Sequence, residues 1–563
     1  VSVPSGAVGR GLFRFGFRKN VDRLLEEAHS KEGLAKTLGA LDLVVLGVAG
    51  IIGAGIFVLI GQGIQAAGVG VVPAFVVAAA ICAVAGFAYA ELASAIPASG
   101  SAYAYIYTAL GELPGWMVAW ALILEYAVGA IAVAVGWRNN LLALVNQFFD
   151  NDPTTDIFSN PHRPWLYQFT HNLFESVRLD DGSVLTGWIN IPSILIVLFC
   201  TLMLIRGTKE SARFTFVLVI IKVTILILAI VGGFLFFNAA NFSDPLPHAI
   251  PAAPGIGDTR GFLPALKAVF AAAAVMFFAY IGFDSVSTTA EETKEPKKDL
   301  PKGIIGSLLI TTLLYVLAAL ALVSAANWTQ FVGDSVAATN ARGEPFGYVF
   351  EQHGFLKIGG FSLGALLVRI GALIGTTSVL LVLILGGVRV FFNMSRDGLL
   401  PPWMSRVSKR GAPAATTLFY GAFTMAFAGL LTLGAAVDLV NIGTLFAFFM
   451  VILSVWVFRI RRPDVERPFR MPLWSVLTTG GRPYLPVLTL LGMAGTVALI
   501  FSLTRFTLWA ALCWAGIGLV VYALYGVRHS KEAGDRVAEL QDLAGGPRRP
   551  SLTVATRGPG PGE

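Results

Sequence analysis

Three glycines, Gly50, Gly53 and Gly55, stand in the middle of an apolar run that reads "GIIGAGIF". A second apolar run, "FFAYIGFDSVST", is interrupted by Gly282, Asp284 and a cluster of hydroxyl residues. Glycine weakens a helix by roughly 1 kcal/mol relative to alanine and admits backbone conformations that other residues avoid. A helix broken inside a bilayer exposes N–H groups at the start of its second half and C=O groups at the end of its first, each with a partial dipole charge. Two such breaks facing each other suit a zwitterion. The carboxylate would lie at the N–H groups around Gly53, Ala54 and Gly55, and the ammonium at the carbonyls of Phe278, Ala279 and Ile281. Close helix packing through small residues competes as an account of the first run taken alone. The paired interruption favours a binding site built from discontinuous helices.

A charge at the centre of a spanning helix costs about 2.5–3.5 kcal/mol on insertion scales, so such residues face a cavity or one another. Lys222 in "VLVIIKVTILIL" and Glu125 in "LILEYAVG" are of this kind. Three roles stay open for Glu125: a proton relay with Lys222, approach to the substrate, or a structural pair with Lys222. Asp284 and Gly282 are expected to support the second break, Asp284 by capping the half-helix that follows. Lys267 and Arg369 lie nearer the ends of their spans and are expected to snorkel. Cys82, Cys200 and Cys513 fall within spans, and the six histidines fall outside them. Metal, haem and nucleophilic chemistry therefore lack their parts, so no metal, no cofactor and no enzymatic activity is expected.

The elements that must position these residues follow from composition. Of 563 residues, 55% are hydrophobic and 13% charged, against roughly 25% charged in a soluble domain. The chain is expected to be an all-α integral membrane protein. Apolar runs of about 20 residues, the length that crosses a hydrocarbon core as a helix, give twelve transmembrane helices. Lys and Arg gather on the segments that share a side with the N-terminus, which makes both termini cytoplasmic. The same asymmetry accounts for the net charge of +7 without invoking nucleic acid. Residues 1–39 form a cytoplasmic arm in which "VDRLLEEA" can make a short amphipathic helix, residues 40–528 the transporter domain, and residues 529–563 a disordered tail rich in Pro, Gly and Arg. The largest outer loop, placed from about Asn139 to Gly187, carries "VRLDDGSVL", which suggests a hairpin turn, and the loop is expected to form a lid or cap.

Several segments carry a resemblance: "GIIGAGIFVLIG", "GSAYAYIYTALGELPGWMVAWALILEY", "SARFTFVLVIIKV", "FFAYIGFDSVSTTAEETKEPKKDLPKGI", "NMSRDGLLP" and "NIGTLFAF". By these the chain resembles the amino acid, polyamine and organocation (APC) transporter superfamily, and within it the cationic amino acid transporter (CAT) family with its bacterial members. The charged stretch "EETKEPKKDLPKGI" is the most specific of them. The resemblance implies a LeuT-type fold, a 5+5 inverted repeat with discontinuous helices 1 and 6, followed by helices 11 and 12. It implies secondary transport of L-amino acids by alternating access at the cell membrane. Substrate contacts carried over are Ile51, Gly53, Ala54, Gly55, Phe278, Ala279, Ile281 and Leu383. Where many members of the superfamily have Ser or Thr between the two glycines, this chain has Ala54, so a hydroxyl contact is missing.

The resemblance also implies that Lys222 stands where sodium-coupled relatives bind an ion, and that it exchanges a proton as the site opens to either side. Proton symport is therefore the leading expectation, with Lys222 and Glu125 as coupling residues. Leu383 falls where the pocket receives the side chain, and an apolar residue there favours small or medium neutral substrates. The alternative is an uncoupled facilitator or exchanger of cationic amino acids; a membrane sensor of amino acids ranks below both. Expected partners are the L-amino acid, protons and membrane lipids, with a small membrane-protein partner left open.

Overall fold

The computed structural model describes residues 38–531, apart from 97–99, 150–156, 160–162, 174, 179–182, 207, 244–261, 334–335, 359–360, 409–412, 473–477, 480–481 and 484–486. The amphipathic helix expected near residue 21 lies outside the described residues, as do residues 532–563 of the tail expected at 529–563; of its first residues, His529 is helical and Ser530 is buried, with its hydroxyl donating to Glu112. Among those described, eight stretches are long and apolar enough to cross a membrane: Ala40–Ala95, Glu112–Phe149, Phe214–Leu235, Pro264–Ala290, Pro296–Ala325, Leu363–Arg396, Leu433–Arg461 and Arg505–His529. Three shorter apolar helices accompany them: Ile191–Arg206, Ala414–Ala428 and Val487–Ser502. The β-structure described is three antiparallel two-stranded ribbons, none of which closes a sheet.

The first stretch is not one helix. Helix α1 (Ala40–Ile51) ends where Ile52 turns extended, with φ −73° and ψ 107°. A π-turn over Gly55–Leu59 restarts the chain, α2 (Ile60–Ala67) continues it, and α3 (Val71–Ala95) follows. Helix α4 (Ser101–Leu110) is short. After it come α5 (Glu112–Ile123) and α6 (Gly129–Phe149), joined by a second π-turn at Leu124–Val128 that contains Glu125. The long loop starts later than expected, because α6 carries helical structure past Asn139 to Phe149. Within that loop are α7 (Pro164–Thr170) and an antiparallel pair, β1 (Ser176–Arg178) against β2 (Val184–Thr186), on either side of the Asp-Asp-Gly stretch, which itself lies outside the described residues.

Next come α8 (Ile191–Arg206), α9 (Thr208–Leu235) and α10 (Phe262–Phe277). Helix α10 passes into a 3-10 turn at Phe278–Tyr280, Ile281 is extended, and Gly282 takes φ +113° before a second 3-10 segment, Phe283–Glu292. This is the second break, and Gly282 supplies a conformation that an L side chain resists. Helix α11 (Pro296–Ala325) is followed by a pair of short helices, α12 (Val336–Gly343) and α13 (Pro345–Gln352), and then by the longest helix, α14 (Leu363–Arg396). Helices α15 (Ala414–Ala428), α16 (Leu433–Arg461), α17 (Val487–Ser502) and α18 (Arg505–Val521) complete the bundle.

Buried ion pairs fix the ends of the bundle. Arg459 of α16 grips both carboxylate oxygens of Glu91 of α3, at 2.7 and 2.5 Å, and the Met471 N–H donates to the same group. Arg369 departs from its expected snorkelling: it is 4% exposed and bound to Glu344 and Glu351. Two carboxylates pay for enclosing it, so the side chain has no need to reach for water. Lys267, by contrast, is exposed.

Two outcomes are expected. Glu91→Ala leaves Arg459 buried without its partner and lowers stability by about 3–5 kcal/mol, read as a fall in the unfolding temperature in detergent. Gly282→Ala places a methyl 2.6 Å from the Gly50 carbonyl oxygen at a positive φ. It costs at least about 2 kcal/mol, and a melting curve matching the parent chain would contradict the geometry.

Candidate functional site

The two breaks meet face to face. A methyl on Gly50 would stand 2.9 Å from the carbonyl oxygen of Gly282, and one on Gly55 would stand 2.3 Å from Cα of Ala279. Gly53 is packed equally tightly, 2.5 Å from Cγ2 of Val379 by the same measure. Packing and site formation are thus one arrangement here, since the absence of side chains is what lets the unwound segments touch. The hydroxyl of Tyr315, on α11, reaches the carbonyl oxygens of Ile51 and Ala279 at 2.8 and 3.1 Å. One hydroxyl therefore stands within hydrogen-bond reach of a carbonyl from each break.

Lys222, on α9, is fully buried. Its Nζ donates to the carbonyls of Ala49 and Ile52 at 2.8 and 2.7 Å, and to Ser378 Oγ at 2.8 Å. The ammonium has three protons and three acceptors, and two of these are the carbonyls at the end of α1 that the first break releases. Among the described residues no carboxylate lies within ion-pair distance of it. The structural Glu125–Lys222 pair, one of the three roles held open, is accordingly not formed.

Glu125 instead lies beside Asp284 and Thr444. Both of its oxygens are buried and without a hydrogen-bond donor among the described residues. Asp284 accepts from the Tyr126 hydroxyl, while its other oxygen is likewise unpartnered. The side-chain cap expected of Asp284 is not formed: Gly282 occupies the cap position, and Ser285 Oγ donates to its carbonyl at 2.5 Å. The Asp284 carboxylate is met instead by Tyr126, from the π-turn at Leu124–Val128. Gly282 supports the break through its own backbone.

A small cavity lies between the breaks, lined by Ile51, Ala54, Gly55, Phe278, Ile281 and Leu383 together with Gly50, Gly129, Val133 and Val379. Gly53 and Ala279 are not in that lining; they are packed behind it. The cavity is about 10 Å³, near the minimum that holds one water, and its lining side chains are apolar. Ala54 and Leu383 are both nearly fully buried. A larger cavity of about 300 Å³ opens towards the face where the described chain begins and ends. It lies among α1, α9, the 283–292 segment and α14, and Arg389 crosses its mouth to Glu292 Oε1 at 2.6 Å and Thr288 Oγ1 at 3.0 Å. On the opposite face α12 closes on α2, where a methyl on Gly61 would fall 2.6 Å from the Arg342 carbonyl oxygen.

The sequence reading missed Tyr315, Ser378 and Tyr126. Each is a hydroxyl residue on a predominantly apolar span, Tyr126 beside Glu125 and Ser378 after Thr376 and Thr377, and such residues are common as interhelical contacts, so none gave a signal of its own.

The amino acid permease family model matches residues 38–524. The chain is 37% identical over 515 residues to a branched-chain amino acid permease of Bacillus subtilis (strain 168), an overlap covering 91% of this chain and 98% of that protein. It is 34% identical over 518 residues to a methylthioribose transporter of the same strain, covering 91% and 98%. With cationic amino acid transporter 1 of Arabidopsis thaliana it shares 33% over 437 residues, covering 77% of this chain and 64% of the plant protein. The chain is a multi-pass membrane protein of the amino acid permease family, in the amino acid, polyamine and organocation superfamily, and thus a transporter and not an enzyme.

Proposed function

We propose that the protein imports L-amino acids with neutral, apolar side chains across the cell membrane by proton symport with alternating access. The observation that carries this reading is the Lys222 ammonium seated on the first break, bound to Ala49, Ile52 and Ser378. A proton on Lys222 supplies the three hydrogen bonds that satisfy those acceptors. Loss of that proton weakens the hold on α1 and links proton occupancy to the position of its inner half. The substrate carboxylate would bind at Gly53, Ala54 and Gly55, and the ammonium at Phe278, Ala279 and Ile281, with Tyr315 yielding the Ala279 carbonyl. Ile51 and Leu383 would meet the side chain. Glu125 would serve as a second proton-exchanging group, next to Asp284.

The architecture we infer is twelve spans in a LeuT-type 5+5 inverted repeat followed by two further helices. The 56-residue stretch Ala40–Ala95 would measure about 84 Å as a helix, against a hydrocarbon core of about 30 Å. It therefore counts as two crossings, and the three shorter apolar helices bring the total to twelve. The breaks then fall in the first and sixth spans, at matching places in two halves of five. The distribution of Lys and Arg supports cytoplasmic termini, which makes the 300 Å³ cavity an inward vestibule and the α12–α13 pair an outer lid. The transporter domain is residues 40–528, flanked by a cytoplasmic arm and tail.

The names of two relatives point in different directions. The branched-chain permease of Bacillus subtilis accords with the apolar cavity. The plant cationic transporter favours a second reading, an uncoupled facilitator or exchanger of cationic amino acids, in which a charged head group would meet no polar side chain in the cavity lining.

Uptake into proteoliposomes decides between them. Labelled leucine should accumulate under an inward proton gradient and not under sodium alone; sodium dependence with indifference to pH overturns the symport reading. Lys222→Met should reduce accumulation to the level seen without a gradient. Leu383→Ser should improve competition by arginine roughly tenfold, and an unaltered competition profile would remove Leu383 from the pocket.

A further inference from the structure

Well away from the central cavity, one buried charge cluster joins three parts of the bundle. Arg369, in the second turn of α14, holds Glu344 through Nε at 2.8 Å and a terminal nitrogen at 2.6 Å. The same terminal nitrogen reaches Glu351 at 2.6 Å, and the other reaches Gln147 Oε1 of α6 at 2.8 Å. Gln147 is itself fixed, since its Nε2 donates to the Ser362 carbonyl at 2.7 Å. Glu344 caps α13 and Glu351 lies near its end, so the clamp grips the lid helix at both ends. A further support of the lid is the close contact of Arg342 with Gly61 of α2.

Burial raises the Glu344 carboxyl above the usual carboxylate range, against the pull of Arg369. Desolvation thus offsets much of the attraction, and a pair of this kind fixes position more than it adds strength. Removing Arg369, however, leaves Glu344 and Glu351 buried without a countercharge in the closed lid and hydrated in the open one, while replacing Glu344 weakens two of the four hydrogen bonds that hold Arg369 in the closed lid. The equilibrium between closed and open lids then shifts towards open.

We propose that Arg369 is the positioning residue that sets how often the α12–α13 lid stands open, and through it the access of external substrate to the central cavity. Arg369 does not touch the substrate cavity; it acts through Glu344 and Glu351. Only open lids admit substrate, so the apparent affinity from the lid side scales with the open fraction. The outward placement of the lid rests on the topology proposed above.

The test uses intact cells expressing the full chain with Cys513→Ser, which removes the exposed cysteine, and Val133→Cys as a reporter in the central cavity. A membrane-impermeant thiol reagent is added outside. Arg369→Gln and Glu344→Gln should each speed labelling roughly tenfold, the change produced by about 1.4 kcal/mol on the lid equilibrium, with Arg369→Lys in between. In the chain without the reporter they should lower the external KM for uptake more than they change the maximal rate. Glu344→Gln preserves shape and remains informative where Arg369→Gln fails to reach the membrane. Unchanged or slower labelling in Glu344→Gln overturns the clamp. Faster labelling confined to inverted vesicles retains the clamp and overturns the topology, and neither result depends on whether uptake is proton-driven.

Discussion

The structure depends on how two interrupted helices satisfy the backbone groups they release. In a bilayer no solvent is available for a freed carbonyl, so non-helical backbone is tolerated only where protein or enclosed water supplies partners. Here the partners are specific. Lys222 takes Ala49 and Ile52, Tyr315 takes Ile51 and Ala279, and Ser285 takes Gly282. Helices α9 and α11 are therefore tied to the breaks by polar bonds, while elsewhere in the bundle apolar packing is joined by buried ion pairs such as Arg459–Glu91. Gly50 and Gly282 complete the arrangement by letting the two unwound segments lie in backbone contact.

That scheme leaves the two faces of the molecule unequal. The face bearing the chain ends carries an open cavity crossed at its mouth by Arg389 and Glu292. The other face is closed by short helices seated on α2 and pinned at Arg369. The cavity between the breaks is too small for an amino acid, so binding at the proposed site would require outward movement of its walls. Large parts of those walls are Gly, Ala, Val and Leu, with few polar bonds to break. The polar bonds are concentrated at Lys222, Tyr315, Arg389 and Arg369, and these are the points at which motion is resisted.

Both breaks were legible in the sequence because glycine in an apolar run is costly unless the backbone there is unusual. The all-helical membrane character, with eight stretches of membrane-crossing length among the described residues, was legible through length and hydropathy, and the β1–β2 pair through the Asp-Asp-Gly signal between its strands. What stayed hidden depends on distance in sequence. Nothing around Tyr315 or Ser378 marks them as partners of residues more than 250 positions away in the first case and 150 in the second. The π-turn at Leu124–Val128 was hidden as well, because one extra residue per turn leaves composition unchanged. Glu125 lies within it, beside Asp284 and Thr444. Arg369 misled for a related reason, since its two acidic partners come from a loop whose fold the local pattern does not announce.

The Tyr315 hydroxyl has one proton and two carbonyls within reach, one on each broken helix. It can donate to only one of them at a time. When the two helices separate, the bond can pass to whichever stays close, so the separation need not strand a donor in hydrocarbon. The tyrosine thus behaves as a slip joint, which keeps the backbone satisfied while allowing the parts it connects to slide past each other.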